Sequence, residues 1–170
     1  TNNSSRTSEF YKDKLAGMGC FVEEAKIATS GDVTIKYLLE NYAQSSVYLV
    51  GTDLLRDSFV NSGVRLVDDK PDIVVMSFDT TLTYEKVSCA CSFIRAGALF
   101  LATHMDLNCP TEDGFIPDCG AMCAMVEAST GAKPKYLGKP FAETVEMIKL
   151  ITGMENEELV FVGDRLYTDI

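Results

Sequence analysis

Two acidic side chains follow an apolar run near the end of the sequence. Asp164 comes directly after residues 159–163, and Asp169 lies in the same loop. Loops at the carboxyl ends of parallel strands are where ligands bind, and carboxylates there suit Mg²⁺, which prefers oxygen ligands. Asp also commonly caps a helix that follows a strand. These residues alone leave a metal ligand and a helix cap as equal alternatives for Asp164.

A lysine and a polar segment offer sites for an anion. Lys139 lies between Gly138 and Pro140, in a rigid loop before a helix, where it can present a point charge to a phosphate or carboxylate. Residues 1–4 read Thr-Asn-Asn-Ser and can form an anion-binding nest of hydroxyl and backbone N–H groups. Taken singly, a surface lysine and an ordinary polar turn are the preferred explanations of these segments.

The elements that position these loops alternate between strands and helices. Apolar runs bounded by Gly, Pro and Asp predict strands, and 3.6-residue periodicity predicts helices. Such alternation indicates an α/β fold with a largely parallel sheet. The predicted strands are 27–30, 46–50, 65–67, 73–78, 98–103 and 159–162, and the predicted helices are 8–17, 33–41, 54–61, 84–96, 121–129 and 142–151.

Composition excludes several classes of protein. The 170 residues carry 25 Asp and Glu against 15 Lys and Arg, a net charge of −10, which disfavours binding to nucleic acid or to anionic membranes. No apolar run approaches the ~18 residues of a membrane span. The six cysteines have no Cys-x-x-Cys motif, and several lie in apolar runs, so we expect buried, reduced thiols, a cytoplasmic protein and no zinc site formed by cysteines.

The order of the motifs resembles that of a known family. Thr-Asn-Asn-Ser-Ser at 1–5, Gly-Lys-Pro at 138–140 and Gly-Asp-Arg-Leu at 163–166 occur in the order found in haloacid dehalogenase-like phosphohydrolases. The sequence is most similar to the NagD-like branch, related to p-nitrophenyl phosphatases and phosphoglycolate phosphatases, and the resemblance covers essentially the whole chain. It implies a partial Rossmann-like core, without its first strand and its C-terminal part, carrying an inserted α/β cap.

The resemblance assigns a role to each matching residue. Thr1 would hydrogen-bond the transferring phosphoryl group, with backbone N–H support from Asn2 and its neighbour Asn3. Lys139 would neutralise the phosphate and the nucleophile together. Asp164 would be a ligand of Mg²⁺, and Asp169 would orient either the metal's ligands or Lys139. A phosphoryl group with distributed negative charge needs such fixed cationic partners.

The family's nucleophile is not among these residues. Its members attack phosphate with an Asp in an Asp-x-Asp motif after their first strand, forming an aspartyl-phosphate. No Asp-x-Asp occurs here. Asp79 follows a strong strand but lacks the second Asp, and residues 83–86 match the family's cap. The implied nucleophile therefore precedes Thr1, both ends are expected to lie inside a domain, and residues 1–170 alone are not expected to complete catalysis.

The resemblance also predicts a division of the chain. Core residues 1–44 and 136–170 would flank a cap at 45–135 that closes over the substrate. Asp79, His104 and Asp106 are the cap residues expected to face it, together with Asn3 from the core. Relatives often have Asn-Pro-Asp where this chain has His104-Met105-Asp106. His104 is the single histidine, and a structural role is its alternative.

The predicted function is a Mg²⁺-dependent phosphatase acting on a small phosphorylated metabolite: a sugar phosphate, a nucleotide monophosphate or phosphoglycolate. Capped relatives commonly form homodimers. Two alternatives remain: a non-catalytic binding protein that kept the fold, and an α/β domain in which Asp164 is only a helix cap. The latter predicts no effect of Mg²⁺ on stability.

Overall fold

The computed structural model describes residues 1–169 as alternating helices and strands. The helices are α1 (Ser8–Gly17), α2 (Ser30–Asn41), α3 (Asp53–Asn61), α4 (Tyr84–Arg95), α5 (Cys119–Thr130) and α6 (Ala142–Thr152). The strands are β1 (Val47–Val50), β2 (Ile73–Met76), β3 (Leu99–Ala102), β4 (Asn108–Thr111), β5 (Gly114–Pro117) and β6 (Lys135–Tyr136). No helix among residues 1–169 is long and apolar enough to cross a membrane.

Four strands form a parallel sheet in the order β1-β2-β3-β6, as the alternation predicted. Ile73 pairs with Val47 on one side and with Leu99 on the other. All residues of β1 and β2 are buried, as expected of parallel strands with helices on both faces. The carboxyl ends of these strands therefore meet at one edge. Strands β4 and β5 form a separate antiparallel hairpin.

Alternate side chains of the sheet contribute to two apolar layers. Val74 and Met76 face the layer that contains α4 and α5, whereas Val75 lies in the layer of α2 and α3 with Leu38 and Phe59. Leu38 precedes the predicted boundary at residue 44, so the first segment shares an apolar layer with the sheet that follows it. The division into core and cap remains a prediction.

Three predicted strands are absent from the described residues. The segment at 65–67 forms only an isolated bridge, between Leu66 and Val47. The segment predicted as a strand at 27–30 instead leads into α2, because Thr29 is its N-cap and forms a reciprocal capping box with Asp32. Residues 159–162 form no strand, and Val160 and Val162 are 87% and 94% exposed. Apolar side chains stabilise a strand only when a neighbouring strand pairs with it, and no described strand does so here. All six cysteines are free.

Tyr48 on β1 gives the fold a pH dependence that can be measured. Burial raises the pKa of its phenol to about 12, above its ordinary 10.0. The folded state thus favours the neutral phenol, and this stabilising contribution is complete below pH 10 and is lost as the pH rises towards 12. Urea unfolding should show Tyr48→Phe gaining stability over the wild type across this range. Tyr84, 90% exposed, is the control, and Tyr84→Phe should show no such gain.

Candidate functional site

The polar loop at residues 1–5 lies across the carboxyl edge of the sheet. Ser4 Oγ accepts a hydrogen bond from the Phe78 N–H after β2 (3.0 Å) and lies 3.1 Å from Thr103 Oγ1 after β3. The Thr1 carbonyl accepts from the N–H of Ser30, at the start of α2 (2.9 Å). These bonds hold the loop at the sheet edge where ligands bind in parallel α/β folds.

Asn2 joins this loop to the loop of Lys139. Its Oδ1 accepts from the Lys139 N–H (2.8 Å), and its Nδ2 donates to the Lys139 carbonyl (3.2 Å). Nδ2 also donates to Asp106 Oδ2 (3.2 Å). Asn2 is 6% exposed, so the amide satisfies buried polar groups that would otherwise lack partners. Three segments that are distant in sequence are thereby held together.

Gly138 permits the close approach that these bonds require. A Cβ at this position would lie 2.5 Å from the Thr103 carbonyl and 2.8 Å from Asn2 Oδ1. Gly138→Ala is therefore expected to destabilise the fold by about 1–3 kcal/mol, the usual effect of overpacking. Gly17→Ala is the matched control, because nothing lies within 4 Å of a Cβ there. Equal urea midpoints for the two variants would contradict the packing described here.

Asp169 organises the last loop. Its Oδ1 is paired with Lys139 Nζ, and its Oδ2 accepts from the N–H groups of Asp164 (3.2 Å) and Arg165 (3.1 Å). Burial raises the pKa of the Asp169 carboxyl, but Lys139 and the two N–H groups outweigh it, and the net shift is downward. Asp169 thus stays ionised and fixes the direction of the Lys139 ammonium.

Arg165 connects the last loop to Asp106, its Nη1 lying 3.4 Å from Asp106 Oδ2. Together the loops enclose a cavity of about 340 Å³. Most of the predicted residues line it, and its walls carry both signs of charge, so it can hold an anion beside a cation. The lining includes Thr1, Asn2, Asn3, Asp106, Asp118, Lys139, Asp164, Arg165 and Asp169.

His104 lies behind this cavity and does not line it. It is fully buried, with Nε2 2.8 Å from Asp118 Oδ1 and Nδ1 2.9 Å from Thr103 Oγ1. Burial lowers the pKa of His104, but the Cys119 thiol and the Asp118 carboxylate outweigh it, and the net shift is upward. Asp118 is also the N-cap of α5.

Asp79 is not brought to the cavity. Its Oδ2 accepts from Lys86 Nζ (2.7 Å), and its Oδ1 accepts from the N–H (2.8 Å) and Oγ1 (2.7 Å) of Thr81. Its oxygens are therefore used to hold its own loop. Asn3 lines the cavity, but its Oδ1 accepts from the N–H and the hydroxyl of Ser5. Its backbone N–H donates to Thr1 Oγ1 (3.3 Å), whereas its Nδ2 donates to no other described residue, so the amide nitrogen is the group that is free for a ligand.

The donors at the cavity fit a hard cation. Asp164 is exposed and lines the cavity, and its carboxylate forms no ion pair or hydrogen bond with another residue among 1–169. Asp169 already accepts from three groups, including Lys139. Mg²⁺ commonly takes one or two protein carboxylates and completes its octahedron with water and substrate oxygens. Asp164 is accordingly the residue best placed to bind it.

A parallel α/β fold with this charged cavity at its carboxyl edge defines the class of protein, and comparison with known proteins identifies the family. The sequence model for the haloacid dehalogenase-like hydrolases matches residues 1–65. A solved structure of a single-mutant thermostable NPPase from Geobacillus stearothermophilus matches with a TM-score of 0.95 at 35% identity, covering 100% of this chain and 69% of that one. The chain belongs to the haloacid dehalogenase-like hydrolases, as its motifs predicted.

Two curated relatives match over the whole chain. The 5'-nucleotidase YutF of Bacillus subtilis is 34% identical over 170 residues, covering 100% of this chain and 66% of the relative. The acid sugar phosphatase of Staphylococcus epidermidis is 37% identical over 173 residues, with the same coverage of 100% and 66%. The chain thus spans just under two thirds of the length of these relatives.

Sequence reasoning assigned no role to Arg165 or Asp118. Arg165 lies inside the Gly-Asp-Arg-Leu motif, which was the available signal for it. Asp118 was missed because α5 begins at Cys119 rather than at the predicted residue 121. Asp118, directly before this start, is the N-cap of the helix.

Proposed function

We propose that the chain is part of a phosphomonoester hydrolase in which Thr1, Asn2, Lys139 and Asp164 bind the phosphoryl group and its metal. The observation that carries the proposal is the pair of Asn2–Lys139 hydrogen bonds (2.8 and 3.2 Å). These bonds hold the loop of Thr1 beside Lys139, at the cavity that the Asp164 carboxylate also lines. The names of the relatives, a nucleotidase and a sugar phosphatase, support the same reaction class.

The residues act by positioning and by charge. Thr1 Oγ1 and the backbone N–H of Asn2 would donate to phosphoryl oxygens, and the Asn3 N–H supports them by donating to Thr1 Oγ1 (3.3 Å). The Lys139 ammonium, held in direction by Asp169, would lie beside the phosphoryl oxygens. Phosphoryl transfer depends mainly on such positioning and electrostatic stabilisation. The nucleophile would be an Asp upstream of Thr1, attacking phosphorus to give an aspartyl-phosphate that water then hydrolyses.

Asp164 would hold Mg²⁺, with Asp169 supporting it from the adjacent position. When bound, the metal neutralises charge on the phosphoryl oxygens. Asp169 pairs with Lys139 and accepts from the N–H of Asp164, so of its two predicted roles we favour orienting Lys139. The Asp169 carboxylate would thus position both the Lys139 ammonium and the loop that contains Asp164.

The substrate would be a small phosphorylated metabolite, such as a sugar phosphate, a nucleotide monophosphate or phosphoglycolate. Residues 45–135 would form a cap over the core segments 1–44 and 136–170, with Asp106 reaching the cavity from the cap. Asp79 and His104 do not line the cavity, and other residues hold their polar atoms, so we assign neither of them to the substrate. A cytoplasmic homodimer that binds neither nucleic acid nor membrane completes the proposal.

A non-catalytic binding protein of the same fold is the second candidate, because residues 1–170 contain no Asp-x-Asp motif. Such a protein would bind phosphate through Lys139 without turnover. An Asp-x-Asp motif encoded upstream of Thr1 would eliminate this candidate.

Asp164→Asn tests the proposal in the longer protein that carries the nucleophile. Losing a metal ligand should lower Mg²⁺-dependent phosphate release by about 10²-fold or more, since outer-shell changes alone cost 10–100-fold. Asp113→Asn is the control, because Asp113 is an exposed acid in the β4–β5 turn. Unchanged activity in Asp164→Asn would show that Asp164 is not a metal ligand.

A further inference from the structure

Three buried side chains converge beside the proposed phosphate site. His104, Asp106 and Asp118 each offer one donor atom, and these atoms lie within 4.8 Å of one another. The first two follow β3, and Asp118 begins α5, so the sheet and the helix fix their separation. Their exposures are 0%, 3% and 4%. Neither Lys139 nor Asp164 belongs to this group.

Two hydroxyl groups contact Nδ1 of His104. Ser30 Oγ lies 3.2 Å away and donates its own hydrogen to the Asn2 carbonyl at 2.6 Å, so Ser30 can only accept from a protonated Nδ1. Thr103 Oγ1, at 2.9 Å, can either accept from Nδ1 or donate to it. In the tautomer that satisfies Ser30, the lone pair of the neutral imidazole lies on Nε2, facing Asp118 Oδ1 at 2.8 Å.

Two acceptors at this distance need a positive centre between them. A second proton on His104 would supply one, but it would satisfy only Asp118. Asp106 Oδ1 is also buried and has no hydrogen-bond partner among the described residues, while Asp106 Oδ2 is used by Asn2 and Arg165. A cation bound by all three side chains satisfies this oxygen as well.

We propose that His104 Nε2, Asp106 and Asp118 bind a divalent transition-metal ion, with Zn²⁺ as the best match. Zn²⁺ takes imidazole nitrogen and carboxylate oxygen with an open position. Ligating histidines commonly donate their other N–H to a fixed acceptor, and Ser30 Oγ is positioned to accept from Nδ1. Asp106 and Asp118 also line the 340 Å³ cavity, which gives the ion a path of entry. The proposal does not depend on phosphatase activity.

Calorimetric titration of the chelator-treated chain with Zn²⁺ tests this site, and Co²⁺ absorption identifies the donors. We expect one equivalent to bind and a Co²⁺ spectrum without thiolate charge transfer. Asp118→Asn should weaken Zn²⁺ binding at least ~100-fold. Asn still caps α5, so this variant should unfold in urea like the wild type without metal.

Asp164→Asn is the matched control and should bind Zn²⁺ like the wild type, since it alters the proposed Mg²⁺ site only. Three results would overturn the proposal: equal Zn²⁺ affinity in Asp118→Asn and wild type, loss of binding in Asp164→Asn, or thiolate bands that place Co²⁺ on cysteines. The first of these would assign the His104–Asp118 contact to a protonated histidine. None of these outcomes bears on the phosphatase proposal, which has its own test.

Discussion

Lys139→Ala is expected to lower phosphate release by about 10²–10³-fold in the longer protein that contains the nucleophile, the usual cost of removing one charge-stabilising donor from an active site. Lys139 supplies the ammonium that Asp169 directs at the cavity. The substitution leaves the Lys139 N–H bonded to Asn2 and leaves Asp169 bonded to the backbone of Asp164 and Arg165. The loops should therefore keep their positions, and the loss should appear mainly in kcat.

Lys133→Ala is the matched control for that experiment. Its side chain is 80% exposed and contacts Glu127 on the surface, so its removal should leave turnover unchanged. Steady-state kinetics with a phosphomonoester would measure both variants. If Lys139→Ala kept more than a tenth of the activity, the ammonium would not be part of the catalytic site.

Asn2→Asp is expected to destabilise the fold by about 3 kcal/mol or more. The change replaces the donor Nδ2 by an oxygen that faces Asp106 Oδ2 and the Lys139 carbonyl, both at 3.2 Å. The first contact becomes a buried pair of like charges, and both acceptors lose their donor. Leaving one buried group unpaired costs about 1–3 kcal/mol, and more when it is charged.

Asn3→Asp provides a control with the same chemical change one residue away. Asn3 uses only its Oδ1, as an acceptor from Ser5, and a carboxylate oxygen accepts the same bonds. Urea unfolding should therefore place Asn3→Asp near the wild type and Asn2→Asp far below it. Similar midpoints for the two variants would show that Asn2 does not join the loops as described.

The residue pattern of the sequence correctly predicted those elements that depend mainly on residues nearby in the chain. The apolar run at β2 and the capped helix that follows Thr83 agree with prediction, because burial and N-capping depend on nearby residues. The loops that follow parallel strands also meet as predicted, because the carboxyl ends of these strands lie at the same edge of the sheet. The family's motifs then indicated which of these loops bind phosphate.

Other features depend on contacts that no local pattern contains. Residues 159–162 read as a strand, but strand formation needs a pairing partner, and these residues are exposed. His104 was expected to face the substrate, yet Asp118 and the hydroxyls of Thr103 and Ser30 hold it behind the cavity. The Arg165–Asp106 pair joins side chains far apart in sequence. Only the folded chain shows these partners.

The most direct test of the central claim is an amide-resolved NMR titration of the ¹⁵N-labelled chain with inorganic phosphate. We expect the shifts to concentrate at Asn2, Asn3 and Lys139, and we expect Lys139→Ala to reduce them greatly. Phosphate shifts centred elsewhere, for example at the groove between α4 and α5 lined by Arg95, or shifts unchanged in Lys139→Ala, would contradict that claim.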